Sequence, residues 1–266
     1  DPLLSLLDDP QPEVRLETVQ VLGKYAEKGL ILSVSQELLK RPPEPETAEA
    51  VRHVLLRAGS TILPLLEAEL LSGDQSRCER AIEILSFLDV AGANILLTHI
   101  LELPAREAYL AAEKLGNLNL SLVDDYFLGL MKSENADERR IAIHAMLTGS
   151  STDQAILTAG MALLNDPDEL VRLDAAFFLE VTDDPRIEEM VKPFDPRRET
   201  GSLGYLIKQT VRRARLRFEF KQHAIHELHE ALFTGNDEVK IISAREITSR
   251  NDPISIPFLT EALRIH

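Results

Sequence analysis

Apolar residues recur along this chain with a helical rhythm that polar turns interrupt at regular intervals. Val14, Thr18, Val19 and Leu22 fall along one face of a helix, as do Val171, Ala175 and Leu179. The segments leading into these two faces share one template. It reads Leu6-Leu7-Asp8-Asp9-Pro10-Gln11-Pro12-Glu13-Val14-Arg15 in one place and Leu163-Leu164-Asn165-Asp166-Pro167-Asp168-Glu169-Leu170-Val171-Arg172 in the other. A weaker third copy is Leu232-Phe233-Thr234-Gly235-Asn236-Asp237-Glu238-Val239-Lys240. With a small or central residue of each second helix as marker, repeats fall at Thr18, Val51, Ala81, Ala111, Ala142, Ala175, Thr210 and Ser243, in steps of 33, 30, 30, 31, 33, 35 and 33 residues. A helix pair of that length cannot bury its apolar face alone, so neighbours must stack. The predicted fold is all-α, with about eight helix pairs over residues 1–266 as a single array.

The turns carry their own signals. An Asp before Pro offers a side-chain acceptor to free helix N–H groups, and Pro suits a first turn, where its missing N–H costs nothing. Asp9-Pro10, Asp166-Pro167, Asp184-Pro185 and Asp252-Pro253 are therefore predicted helix starts. The Pro- and Gly-dense run from Lys192 to Gly204 breaks the pattern, and a loop insertion is expected near 193–204. Pro253 to His266 is expected to be the first helix of a further pair with no second helix after it, which leaves an apolar face in need of a cap. The chain opens at Asp1 without Met or a charged-then-apolar leader, as expected of a piece cut from a longer protein.

This regularity resembles the short HEAT-like repeats first described in bacterial phycobilisome-lyase-related proteins, and the likeness covers nearly the whole chain. TPR and ankyrin arrays have similar periods, but their Trp–Leu–Gly–Tyr and Thr–Pro–Leu–His signatures are missing. The resemblance implies a right-handed α-solenoid of antiparallel helix pairs, HEAT-like and armadillo-type, whose second helices line a concave binding face. It also implies a structural ladder between repeats, built from the Asp of the turn and the Arg of the Val-Arg pair. Asp9, Arg15, Asp166 and Arg172 occupy those positions.

Composition narrows the function classes. Trp is absent and aromatics make up 5%, which favours helices over strands. The formal charge of −15 repels a phosphate backbone as a whole and is unlike a generic nucleic-acid binder. Cys78 is the single cysteine, so no intramolecular disulfide framework or cysteine zinc cage exists, as expected for a reducing, cytoplasmic setting. The apolar stretch from Ile62 to Leu71 is interrupted by Glu67 and Glu69, too early for a membrane span.

Catalytic motifs are missing: there is no Gly-x-Ser-x-Gly, no phosphate loop and no His-Glu-x-x-His. Gly201 and Gly204 form a lone Gly-x-x-Gly, read as loop flexibility. His223, His226 and His229 recur every three residues beside Glu227 and Glu230, which allows either a metal site or a solvated face. The two His-Glu dipeptides resemble those of deoxyhypusine hydroxylase, but there the pairs come from several repeats, whereas here both lie on one helix and second-helix positions hold Arg52-His53 and Arg172-Leu173. No cofactor or metal is expected. Cys78 is read as a small buried hydrophobe.

Charge supplies the sharpest local anomaly. Arg197, Arg198, Lys208, Arg212, Arg213, Arg215, Arg217 and Lys221 stand against only Glu199 and Glu219, a local +6 that leaves −21 for the rest of the chain. Three readings compete: pairing with neighbouring acidic turns such as Asp183-Asp184 and Glu188-Glu189, docking of an acidic protein partner, and phosphate contact of the kind implied by HEAT-like DNA glycosylases of the AlkD type. The acidic clusters Glu44-Glu46-Glu49, Glu134-Asp137-Glu138 and Asp166-Asp168-Glu169 are read as solvated surface that could steer a basic partner if they align. The expected activity is protein binding by a non-catalytic scaffold or adaptor, with nucleic-acid binding through 197–221 as the alternative.

Overall fold

The computed structural model describes residues 2–25, 28–40, 46–118, 120–148, 154–182, 191–192 and 194–265. Among these residues every regular element is a helix. In chain order they are α1 (Pro2–Ser5), α2 (Pro12–Tyr25), α3 (Lys28–Lys40), α4 (Ala48–Ala58), α5 (Leu63–Leu70), α6 (Gln75–Leu85), α7 (Asp89–His99), α8 (Ala105–Gly116), α9 (Ser121–Leu130), α10 (Ala136–Thr148), α11 (Gln154–Ala162), α12 (Glu169–Val181), α13 (Gly201–Lys221), α14 (Ile225–Thr234), α15 (Asp237–Ser249) and α16 (Ile256–Ile265). Short 3₁₀ turns join several of them.

Two compact units emerge: Asp1–Phe127 with Thr148–Ser151, and Leu128–Leu147 with Thr152–His266. In the first, α4 packs on α3, α6 on α5 and α8 on α7, while α2, α4, α6 and α8 pack on one another in sequence. In the second, α12 packs on α11 and α15 on α14, and α12, α13 and α15 form the corresponding row. The architecture is a helical-repeat solenoid. Among the described residues α4 and α6 are each covered by the preceding first helix and by the second helices on either side, which is how a pair that cannot bury its face alone becomes stable.

The markers that set the period explain the stacking. Thr18, Ala81, Ala111, Ala142, Ala175, Thr210 and Ser243 are buried, and Val51 is half-buried. A small side chain there lets neighbouring helices close up. Where the marker is polar, its hydroxyl is satisfied locally: Thr18 Oγ1 donates to the Val14 carbonyl at 2.6 Å and Ser243 Oγ to the Val239 carbonyl at 2.8 Å.

Helix starts depart from the Asp-Pro expectation in two of the three described turns. Asp9 and Asp166 do not cap; their carboxylates accept from Gln11 N and Asp168 N, each at 2.9 Å, and close the turn itself. The helix begins later, and Asp168 caps α12 by accepting from Leu170 N and Val171 N. Asp252 behaves as expected and accepts from Ile254 N. Asp184-Pro185 lies outside the described residues.

The insertion is also shorter at its far end than the residue pattern suggests. Residues 194–200 are irregular, but Gly201 and Gly204 form the first turn of α13 rather than a flexible loop. Gly201 sits at φ +70°, where a side chain is strained, and a Cβ on Gly204 would stand 2.6 Å from the Glu199 carbonyl carbon. Gly201 thus answers a backbone angle and Gly204 a close approach. At the C-terminus α16 follows a 3₁₀ turn and contacts α14, as a first helix of the next pair would.

Candidate protein-binding surface

Several arginines are committed to contacts within and between repeats. Arg15 Nη1 donates to the Asp9 and Pro10 carbonyls at 2.7 and 3.3 Å. Arg139 repeats that geometry on Ser133 and Glu134, and Arg172 repeats it on Asp166 and Pro167. The guanidinium thus holds the main chain of its own turn. Its other edge reaches the next repeat: Arg139 grips Asp166 with two 2.7 Å bonds, and Arg172 grips Glu199 at 2.7 and 3.1 Å. Asp166 is therefore paired with Arg139, and Arg172 touches only its backbone. Sequence reasoning missed Arg139 and Glu199 as ladder members. Charge assistance from the paired carboxylates pushes Arg139 and Arg172 further up from the ordinary arginine range.

A second recurring device uses arginines at helix ends. Arg57 of α4 donates to the Gly23 carbonyl near the end of α2, and Arg217 of α13 donates to the Glu180 carbonyl at the end of α12. Arg250, just past α15, donates to the Phe220, Lys221 and His223 carbonyls at the end of α13, at 3.1, 3.0 and 2.8 Å. A cation there satisfies carbonyls that lack helical partners and meets the negative end of the helix dipole.

These devices divide the basic segment. Arg213 donates to both carboxylate oxygens of Glu180 at 3.0 and 2.9 Å, Arg215 to the Val191 carbonyl at 3.0 Å, and Arg217 caps α12 as described. Arg212 lies 3.5 Å from Glu238 with its side chain 56% exposed, and Arg197 pairs weakly with Asp195 at 92% exposure. Arg198 is exposed and Lys208 half-buried. Arg245, which lies outside the segment that the sequence singles out, stands 4.0 Å from Glu180 with its side chain 72% exposed. Asp183, Asp184, Glu188 and Glu189 lie outside the described residues.

Glu180 is thus a hub for three second helices: it belongs to α12 and receives Arg213 of α13 and Arg245 of α15. Around it lies a cleft of about 260 Å³ whose lining adds Arg217, Lys221 and Glu246, with exposed Val181 and buried Ile242 as its apolar part. In the first unit a larger crevice of about 650 Å³ runs over α2, α4 and α6, with Leu7, Leu38, Leu55 and Ile84 in its lining beside Arg52 and Glu83. Arg52 bonds Glu49 and lies 4.9 Å over the Phe87 ring.

The other candidates resolve singly. His229 is buried, stacked on Phe258 at 3.8 Å, with Nε2 2.9 Å from Ser255 Oγ. His226 is exposed, and His223 sits edge-on to Phe220. The three histidines do not converge, and among the described residues no three His, Cys, Asp or Glu side chains are grouped to hold a metal. Burial, with Glu107 and Glu79 nearby, pushes the Cys78 thiol up to about 11, so it stays protonated at neutral pH. The acidic clusters are partly consumed: Asp166 pairs, Asp168 caps, Glu49 bonds Arg52 and Glu138 accepts from Ser133 at 2.6 Å, while Glu44 lies outside the described residues.

No helix among the described residues is long and apolar enough to cross a membrane. No curated protein matches the chain. A family model described as the HEAT repeat matches residues 1–29, which span α1, α2 and the start of α3. With the same second-helix packing recurring beyond that match, the chain is a HEAT-like helical-repeat protein.

Proposed function

We propose that this chain is a non-catalytic protein-binding scaffold, working in the cytoplasm, whose second helices carry the contact surface. HEAT repeats generally serve as protein-interaction scaffolds, and stacked helix pairs give long binding faces. One observation carries the reading: on the row α12, α13 and α15, Arg212 and Arg245 remain largely exposed and meet Glu238 and Glu180 only at 3.5 and 4.0 Å, while the buried charges of the ladder are closely paired. Exposed charge of one sign in a strongly acidic molecule marks a place where an acidic partner is steered and oriented. Arg197 and Arg198 extend that surface onto the 194–200 segment.

The test is capture of cross-linked partners from source-cell lysate, with and without nuclease, by the intact chain and by a variant with Glu at Arg197, Arg198 and Arg212. These three are chosen because Arg213, Arg215 and Arg217 hold neighbouring helices. A nuclease-resistant protein lost with the variant is the expected result. Recovery dominated by nucleic acid, falling steeply with salt as phosphate contacts do, would replace the scaffold with a nucleic-acid-binding protein.

A further inference from the structure

The cleft around Glu180 has a composition that specifies more than a positive patch. Four cations line it, Arg213, Arg217, Lys221 and Arg245, against two carboxylates, Glu180 and Glu246. Glu246 is already engaged by Arg250 at 2.9 Å. Glu180 takes both donors of Arg213, but Arg245 reaches it only at 4.0 Å, too long for a direct hydrogen bond. The floor is not wholly polar, since Val181 is 52% exposed and Ile242 also lines the cleft.

We infer that this cleft receives an acidic side chain of a protein partner, with a neighbouring aliphatic side chain seated on Val181, and that Glu180 competes with the incoming carboxylate for Arg213 and Arg245. This rests on the scaffold reading and names its partner's chemistry. The volume supports a side chain as occupant, because about 260 Å³ falls below the span typical of small-molecule sites, about 300–1,000 Å³. Charge complementarity supports an anion. Nucleic acid fits less well: no described lining residue is aromatic, so no base-stacking platform exists, and the net charge of −15 opposes a long phosphate backbone. An arginine fork also favours a planar carboxylate with two matched oxygens, which Glu180 demonstrates in place.

The competition gives the inference an unusual signature. Removing the resident carboxylate by Glu180→Gln frees two guanidinium groups and is expected to tighten binding several-fold, whereas Arg245→Glu is expected to weaken it about tenfold. The experiment is fluorescence anisotropy on the full chain with three labelled probes: a short peptide of repeated Asp-Leu-Glu units, its Asn-Leu-Gln counterpart, and an oligothymidylate of equal charge. Circular dichroism melting of both variants establishes that they fold. Salt-sensitive binding of the acidic peptide alone, moved in opposite directions by the two variants, is the expected result. Equal binding of the amide peptide, stronger binding of the oligothymidylate, or no response to Arg245→Glu overturns the inference. If the acidic peptide fails while the lysate partner persists on the Arg245→Glu chain, the cleft assignment falls and the scaffold reading stands.

Discussion

Asp166 shows how one carboxylate can join two repeats. It accepts both forks of Arg139 from the preceding repeat, its side chain is 3% exposed, and it also receives the Asp168 N–H of its own turn. Removing it strands a buried guanidinium, and breaking a buried pair from one side costs about 3 kcal/mol or more. Asp166→Ala is therefore expected to lower the urea midpoint substantially, and the double variant with Arg139→Met to recover much of the loss. A double variant that loses the sum of the two single losses would show that the pair carries no coupling. His99 makes a second residue-scale prediction. Its Nδ1 lies 3.0 Å from Glu102 and its Nε2 2.8 Å from Glu67 of α5, so both ring nitrogens face acceptors and the imidazolium is favoured. The bonds to Glu102 and then Glu67 raise its pKa above the ordinary 6.5. A raised folded-state pKa stabilises fully below the unfolded value and is lost as pH rises through the folded one. Stability should thus decline as pH rises above the ordinary 6.5 and through the raised value, and His99→Gln should flatten that decline in chemical denaturation.

At the scale of elements, the second helices were legible because their markers are small and their period regular. Thr18, Ala81 and Ala175 sit where the spacing puts them, at the crowded core of a helix stack. The ladder was legible as a set of residue types but not as a set of partners. Asp166 and Arg172 stand in one turn, yet the carboxylate turns back to Arg139 and the guanidinium reaches on to Glu199, each 27 residues away in sequence. Glu180 with Arg213 and Glu67 with His99 are 33 and 32 residues apart, a full period. Scanning for opposite charges at these two offsets would have found the contacts, whereas turn-local pairing cannot. The glycines of α13 misled for a related reason. Gly204 reads as a helix breaker, but it lies within the helix because Glu199 packs against its Cα side on the way to Arg172. Gly204→Ala is expected to destabilise by about 1–3 kcal/mol despite the better helix propensity of Ala. An unchanged melting temperature would mean that the 194–200 segment shifts without cost.

For the whole molecule, stability should follow neighbourhood rather than the complete chain. In a repeat array each pair touches only its neighbours, so opening free energies are set locally and propagate over one or two repeats. The two compact units give that expectation a test. Asp166→Ala removes a contact wholly inside the second unit, between the turns that precede α10 and α12 and the helices they start. Amides of α10 and α12 should exchange faster with solvent by hydrogen-exchange mass spectrometry, while those of α6, held by its own Arg77–Glu69 pair in the first unit, should keep the wild-type rate. Faster exchange throughout would mean that the units unfold as one cooperative body, and a partner gripping the second-unit cleft would then stabilise the entire chain. Local exchange would instead confine the effect of binding at Glu180 to the repeats around it, so that protection of α12, α13 and α15 alone would report the partner.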